Sequence, residues 1–307
     1  MRLDNLSYLD WVAWEEAYQQ KPYPRLKIRN FWASEVYFFH STEQMLLVAE
    51  MCPDIEEMLF MYQDPNTCSL DLLASFEKLA KLELWGGDFF LDNLDGLLGS
   101  VGPRLTRLDL HHLENINLRS ISVLSITCPL LNILKFSGCT FYLVDVPVES
   151  LIVDNIDHDY NQSHQRRIIN EIKSGLIPFL SLEEVSISSP CPEEMLVILL
   201  SLCLNIKILA IGSMCEITDQ CFDQILTSNK LQQLEQVEIR KSECLTMKTL
   251  SSLLLYCDNI KSILDIEGWA GVDRADLEEL IIHMKQNNVD ICLREQEEDS
   301  RCVHLQY

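Results

Sequence analysis

One spacing of apolar residues recurs along the chain: a first apolar residue is followed by a second three positions after it and by a third five positions after the first. Seven strong copies have this spacing: Ile55/Met58/Phe60, Leu79/Leu82/Leu84, Leu105/Leu108/Leu110, Leu131/Leu134/Phe136, Leu182/Val185/Ile187, Ile206/Leu209/Ile211 and Leu234/Val237/Ile239. The last two positions of each copy are two residues apart, which is the period of a β-strand with one buried face. Each copy therefore predicts a short strand.

Weaker copies extend the pattern towards both ends of the chain and into its centre. They are Tyr23/Leu26/Ile28, Val148/Leu151/Val153 and Ile291/Leu293. Another copy opens at Ile260, where the standard spacing would bury Asp265. We therefore expect a bulge there that brings Leu264 and Ile266 to the core positions.

Helical periodicity fills the intervals between the predicted strands, with apolar residues at steps of three and four. These stretches are Glu43–Glu50, Leu91–Leu98, Leu118–Ile126, Glu194–Leu202, Thr218–Thr227, Thr246–Tyr256 and Asp273–Lys285. Thr218 is a suitable N-cap for its helix. One strand and one helix per unit predict a solenoid in which each unit buries its apolar face only against its neighbours.

The repeat length refines this prediction. Strong copies follow one another at about 24 to 28 residues, within the range of leucine-rich repeats, about 20–29 residues. We predict an α/β horseshoe with a parallel sheet on the concave side, helices on the convex side, and about ten or eleven repeats over residues 23–293. The 51 residues from Leu131 to Leu182 are interpreted as two repeats divided at Val148, with the polar stretch 157–165 as an enlarged loop.

The cysteines follow the same repeat. Cys52, Cys128, Cys203 and Cys257 each lie three residues before the first apolar residue of a strand copy. Neighbouring strands are about 4.8 Å apart, and these cysteines are two or more repeats apart, too far for a disulfide. No secretory signal is visible, so reduced thiols are expected. We predict small apolar groups that fill turns of the core.

The motif also supports a resemblance. Cys-Pro at Cys52 and Cys128, followed by the strand copy, together with Ile217-Thr218-Asp219 at a helix start, resembles the cysteine-containing class of leucine-rich repeats. That class is typical of F-box/leucine-rich-repeat proteins, and the similarity covers residues 50–293. The resemblance implies a horseshoe that captures a substrate protein, and an N-terminal F-box that docks onto the adaptor of a cullin ubiquitin ligase.

The two ends of the chain lie outside this pattern. Leu6-Ser7-Tyr8-Leu9, with Trp11 and Trp14, echoes the second half of an F-box, but no Leu-Pro-x-Glu opens it. Residues 1–22 are therefore either a degenerate F-box remnant or a cap over the first repeat, and capping of terminal repeats is a general need of solenoids. Residues 294–307 form an acidic, polar C-terminal tail.

The predicted partner-binding face follows from strand alternation. Residues two, four and six positions after the first apolar residue of each copy point to the concave side. The predicted site combines an apolar cluster with charged neighbours: Leu59, Met61, Trp85, Arg107, Asp109, His111, Ile133 and Lys135. Exposed aromatic and methionine side chains beside charges are typical of protein-binding hot spots.

The predicted concave face has two further features. A second apolar group comprises Ile133, Ile152, Ile208 and Ala210, with a covering loop as the alternative explanation. A basic stripe on the predicted first strand comprises Arg25, Lys27 and Arg29. It suits an acidic peptide or phosphate, or it protects the edge strand from pairing with another sheet.

Charge narrows the class of partner. The 307-residue chain has a net charge of −23 and a pI near 4.6, which argues against nucleic acid as the partner, since phosphate binding needs clustered Lys and Arg. The most apolar stretch, 195–212, is interrupted by Asn205 and Lys207, so no membrane span or membrane partner is expected. An acidic binder or chaperone of basic proteins is the alternative function.

Catalytic motifs are not found in the sequence. Gly86-Gly87 matches no nucleotide-binding pattern and no Gly-x-Ser-x-Gly occurs. His111 and His112 are expected on opposite faces of a strand, and Asp157-His158-Asp159 lies in a polar stretch, so neither predicts a metal site. We therefore predict a non-catalytic scaffold without metal or cofactor. It is expected in the cytoplasm, the nucleus or both, and binds another protein on its concave face.

Overall fold

The computed structural model describes residues 27–32, 42–62, 70–86, 91–143, 175–286 and 291–294. Its strands are β1 (Asn30–Trp32), β2 (Glu57–Tyr62), β3 (Lys81–Gly86), β4 (Arg107–His111), β5 (Ile133–Ser137), β6 (Glu184–Ser188), β7 (Ile208–Ile211), β8 (Gln236–Ile239), β9 (Ser262–Leu264) and β10 (Cys292–Arg294). Its α-helices are α1 (Thr42–Met51), α2 (Leu91–Val101), α3 (Leu118–Thr127), α4 (Glu193–Leu202), α5 (Asp219–Ser228), α6 (Met247–Tyr256) and α7 (Arg274–Gln286).

The strands form one parallel sheet in chain order. Each of β1 to β10 pairs with the next, and no strand crosses over another. Successive helices contact one another on one side of the sheet, as α2 does α3 and α4 does α5. The architecture is the predicted α/β leucine-rich-repeat solenoid, with the sheet on the concave side and the helices on the convex side.

The core lies between the sheet and the helices. All seven strong copies supply it, and each of their apolar side chains is at most 1% exposed, for example Leu105, Leu108 and Leu110 at 0%. Complete burial of such a side chain stabilises the fold by about 1.5–3 kcal/mol. The recurring apolar spacing therefore corresponds to one continuous column of buried side chains along the solenoid.

All seven predicted helices are present, six of them within one residue of their expected ends, whereas α2 extends three residues beyond Leu98 to Val101. Thr218 caps α5, because its hydroxyl accepts a hydrogen bond from the Cys221 amide at 3.2 Å. Buried Asn117 caps α3 and forms a reciprocal capping box with Ser120. These caps satisfy amide groups that have no partner within the helix.

Acidic residues at two helix starts also tie one repeat to the next. A Glu193 carboxylate oxygen in α4 accepts a hydrogen bond from the Thr218 amide at 2.8 Å. The Asp219 carboxylate in α5 accepts from the Thr246 amide at 3.0 Å, the Thr246 hydroxyl at 2.7 Å and the Thr249 hydroxyl at 2.6 Å. Each carboxylate thus orients the N-terminus of the following helix.

A row of charges precedes the strands of the C-terminal half. Glu183, Lys207, Glu235 and Lys261 are the residues immediately before β6, β7, β8 and β9. The Lys207 ammonium pairs with Glu183 at 2.8 Å, and Lys261 pairs with Glu235. The signs alternate along this row, so every neighbour across the repeats is of opposite charge.

The first strand begins later than the sequence predicts. β1 is Asn30–Trp32, with Phe31 buried opposite Met58 and Ile28 at the position expected for Tyr23. Lys27 and Arg29 are exposed and precede the strand, and Arg29 lies 3.7 Å from Glu56. The predicted basic stripe on this strand is therefore wrong, since Ile28 belongs to two overlapping apolar patterns and the later one forms the strand. Arg25 lies outside the described residues.

The long central interval contributes no strand to the sheet between β5 and β6. β5 pairs directly with β6, with Ile133 opposite Glu184 and Phe136 opposite Ile187. The predicted strand at Val148/Leu151/Val153 therefore has no place between them in the sheet. Residues 144–174, including the polar stretch 157–165, lie outside the described residues.

The standard spacing is broken near Asp265, as expected, but the core positions differ from the predicted ones. Ile263 and Ile266 are buried at 0% and 2%, whereas Leu264 is partly exposed. Asp265 adopts a left-handed backbone with φ of 60°, which ends the strand and turns Ile266 back into the core. The prediction is right for Ile266 and wrong for Leu264.

The cysteines fill the core as predicted. Among the described cysteines none is in a disulfide, and all are buried except partly exposed Cys292 and exposed Cys244. Burial raises the pKa of Cys52 to about 11. It also raises the pKa of Cys128 to about 11, against the effect of a hydrogen bond between Cys128 and Thr127, so both remain thiols at pH 7. No helix among the described residues has the length and apolarity to cross a membrane.

Replacing Asp219 with Asn tests the tie between α5 and α6. Burial raises the pKa of Asp219, but hydrogen bonds from Thr246 and Thr249 outweigh it and lower the pKa overall. The loss of stability in Asp219→Asn is expected to be about 1–2 kcal/mol at pH 7. Because a lowered pKa stabilises the fold above the unfolded value near 4, the deficit should shrink as the pH falls below about 4. Urea unfolding measures it, with exposed Glu216→Gln as the control; a deficit independent of pH down to 2 contradicts this assignment.

Thiol labelling of the native protein tests the cysteine assignment. Cys244→Ser is expected to remove one fast-reacting thiol, because Cys244 is exposed. Cys203→Ser is expected to leave the number of fast thiols unchanged, because Cys203 is 0% exposed and burial raises its pKa. Disulfide-exchange reagents monitored by absorbance give both counts, and a fast thiol lost in Cys203→Ser would disprove the burial.

Candidate functional site

The parallel register arranges the concave residues in rows that run across the strands. One row is Glu57, Lys81, Arg107, Ile133, Glu184 and Ile208; the next is Leu59, Glu83, Asp109, Lys135, Ser186 and Ala210; a third is Met61, Trp85, His111, Ser137 and Ser188. The predicted site residues therefore all occupy one face over β2 to β5. The side chain of Met61 lies outside what the structure describes.

Trp85 is held in place by two neighbours. Its indole stacks on the His111 imidazole with centroids 4.4 Å apart and planes 9° apart. Its Nε1–H donates to Glu83 Oε1 at 2.7 Å. Trp85 is partly exposed, so these contacts fix the indole without covering it completely.

His112 also lies against Trp85, with ring centroids 5.6 Å apart. This corrects the expectation that His111 and His112 occupy opposite faces. β4 ends at His111, and His112 has a left-handed backbone with φ of 53°, so strand alternation no longer applies. Gly138 provides the space, because a Cβ there would lie 2.6 Å from His112 Nδ1.

Arg107 and Asp109 form a bidentate ion pair within β4. Arg107 Nη2 donates to Asp109 Oδ2 at 2.6 Å and Nε donates to Oδ1 at 3.1 Å. The Asp109 side chain is only 6% exposed, and its hydrogen bonds raise the pKa of Arg107 against the effect of burial. Lys135 pairs with Glu184 on the next strand at 2.6 Å. These cations are thus oriented before any partner binds.

Glu83, Asp109 and His111 form a group of three potential ligands. His111 Nε2 lies 3.5 Å from Glu83 Oε1, and the ligand atoms of all three residues lie within 4.8 Å of one another. Burial lowers the pKa of His111, although Glu83 and Asp109 act in the opposite direction, so the imidazole is neutral at pH 7. Strand alternation predicts Glu83 on the concave face, four residues after Leu79, but the predicted site does not include it. The sequence signal that could have included it is that Glu83 and Asp109 occupy equivalent positions in adjacent repeats.

The second apolar group is not continuous. Ile133 and Ile208 lie in the same row, but Glu184 stands between them. Ile152 lies outside the described residues. A shallow depression occurs instead between β2, β3 and β4, lined by Leu59, Glu83 and Arg107 together with Glu57 and Lys81. The predicted site around β2 to β5 is therefore the better candidate for a binding surface.

Comparison with known proteins finds distant structural similarity. No protein family matches the sequence, and no curated protein matches it. The yeast Rad7 and Elc1 complex contains a similar chain, with 12% identity over 89% of this chain and 86% of that chain, and a TM-score of 0.33. A TLR13–ssRNA13 complex contains another, with 16% identity over 78% of this chain and 36% of that chain, and a TM-score of 0.35. The fold assignment rests on the strand order and register described above.

Arg107→Ala tests the Arg107–Asp109 ion pair within the candidate site. It leaves the nearly buried Asp109 carboxylate without its guanidinium, so the free energy of unfolding is expected to fall by about 1–3 kcal/mol. Lys81→Ala is the control, because its pair with Glu57 is longer, at 3.6 Å, and Lys81 is half exposed; a change within about 0.5 kcal/mol is expected there. Equal losses in the two variants, measured by denaturant unfolding, would contradict a structural role for the Arg107–Asp109 pair.

Proposed function

We propose that this chain is a non-catalytic scaffold that recognises another protein with its concave face. The arrangement over β2 to β5 carries the proposal. There Leu59, Trp85 and Ile133 are partly exposed on an ordered parallel sheet, beside the oriented Arg107 and Lys135. Tryptophan and arginine are the residues most enriched among energetic centres of protein interfaces.

Rigidity supports recognition over catalysis. Trp85 is stacked and hydrogen-bonded, and Arg107 is fixed by Asp109, so little side-chain freedom is lost when a partner binds. The strands are held on both sides by parallel neighbours, so the spacing of these groups is set by the sheet. A partner of complementary shape therefore meets a preformed surface.

The finer proposal is that the scaffold is the substrate receptor of a cullin-type ubiquitin ligase. Its support is the resemblance of the repeats to those of F-box/leucine-rich-repeat proteins, together with the Trp11 and Trp14 region as a degenerate F-box. In this proposal residues 1–22 attach to the ligase adaptor, and the concave face holds the substrate in the cytoplasm or the nucleus.

The alternative function is an acidic binder of basic proteins without a ligase connection. The net charge of −23 supports it. Attraction by diffuse surface charge weakens strongly with salt, because the Debye length falls from about 10 Å at 0.1 M to about 3 Å at 1 M. A complex centred on the Trp85 surface should depend much less on salt, so the two functions are separable by the same binding measurement.

Capture from cell extract at low and high salt, followed by mass spectrometry, identifies partners of the full-length chain. Trp85→Ala is expected to weaken a direct complex by at least tenfold, because removal of a central interface tryptophan typically costs about 2 kcal/mol or more. Leu255→Ala is the matched control, since Leu255 is 69% exposed on α6 and lies on the helical side. The proposed site is contradicted if a salt-resistant complex keeps its affinity in Trp85→Ala and also in the double variant Trp85→Ala/Met61→Ala.

The ligase proposal has its own test in the same experiment. The wild-type chain is expected to recover the cullin-ligase adaptor, and Trp11→Ala combined with Trp14→Ala is expected to lose the adaptor while retaining the concave-face partner. If the wild-type chain captures partners but not the adaptor, the ligase connection is contradicted. In that case salt-sensitive capture of basic proteins supports the alternative.

A further inference from the structure

We infer that Glu83, Asp109 and His111 form a binding site for a divalent first-row transition metal ion. The three residues come from adjacent strands, β3 and β4, and their potential ligand atoms lie within 4.8 Å of one another. One neutral imidazole and two carboxylates are the ligand types that Zn²⁺, Co²⁺ and related ions accept, whereas Mg²⁺ and Ca²⁺ prefer oxygen ligands alone.

The distances suit a shared ion. Two ligands that are each about 2.0–2.2 Å from one metal lie about 3.5 Å apart in tetrahedral geometry. His111 Nε2 and Glu83 Oε1 are already 3.5 Å apart. Asp109 is on the same face of the sheet, in the same row as Glu83 and two residues before His111.

The neighbouring groups orient these ligands, as outer groups do around metal sites in general. The Trp85 indole donates to Glu83 Oε1, and its ring stacks on His111 and fixes the plane of the imidazole. Arg107 holds the Asp109 carboxylate, which is 6% exposed. Asp109 Oδ2 accepts two hydrogen bonds from Arg107, whereas Asp109 Oδ1 and Glu83 Oε1 accept one each. Each carboxylate therefore keeps an oxygen with a lone pair for coordination.

The site is partly accessible. The side chains of His111 and Glu83 are 19% and 28% exposed, so an ion can enter from the concave side and retain open positions for water. This inference does not depend on the proposed protein partner, because the chain itself supplies the three ligands.

The test is titration of the full-length, reduced protein with Co²⁺ and with Zn²⁺. Co²⁺ binding is followed by its visible absorption and by quenching of tryptophan fluorescence, and Zn²⁺ binding by calorimetry and thermal stability. One ion per chain is expected to bind and to raise the melting temperature. Thiolate ligation would give an intense charge-transfer band, and its appearance as the main signal would overturn the assignment to these nitrogen and oxygen ligands.

Three variants locate the ion. Glu83→Gln retains an acceptor for the Trp85 indole, and His111→Phe retains the stack, but each removes a ligand; affinity is expected to fall at least tenfold in both. His112→Asn is the matched control, because His112 also lies against Trp85 and asparagine tolerates its left-handed backbone. Unchanged binding in both ligand variants, loss of binding only in His112→Asn, or no binding by the wild-type chain would each overturn the proposal.

Discussion

Every part of this molecule depends on the parallel hydrogen-bonded register between one repeat and the next. No repeat can bury its own apolar face, so the core exists only as long as each strand lies beside its neighbour in the correct alignment. The same register that stacks Leu108 on Leu134 in the core places Asp109 beside Lys135 on the opposite face. The candidate site is therefore a direct outcome of core packing, built from residues about one repeat apart in the chain.

Polar groups fix the alignment of neighbouring repeats, which apolar packing alone does not determine. Asp219 links the start of α5 to the start of α6, and Asn229 donates to the Leu200 and Cys203 carbonyls of the repeat before it. Trp269, which is 1% exposed, donates its indole N–H to the Ile239 carbonyl. Such bonds each join two repeats at one alignment, so they favour this register over others of equal apolar burial.

Periodicity made most of the fold predictable, but the prediction failed where the periodic pattern was weak or where two copies overlapped. The strong copies and the helices follow from two periods that differ clearly, two for strands and 3.6 for helices. Ile28 belongs to two overlapping patterns, and the copy near Leu151 has the strand spacing only weakly. Both predictions were wrong, since β1 begins at Asn30 and no strand lies between β5 and β6 in the sheet. The site was predictable as a face but not as a set of contacts. The Trp85–His111 stack depends on rotamers across two strands, and the position of His112 depends on a left-handed backbone that its residue type does not demand.

The alternating row formed by Glu183, Lys207, Glu235 and Lys261 has a consequence for how such a chain can change in length. Deletion of the repeat that carries Lys207, or of the one that carries Glu235, would bring two glutamates or two lysines side by side, and like charges directly opposite each other destabilise a sheet. Deletion or duplication of two consecutive repeats would keep the order of signs. In this half of the chain, evolution is therefore expected to tolerate gain and loss of repeats in pairs more readily than singly.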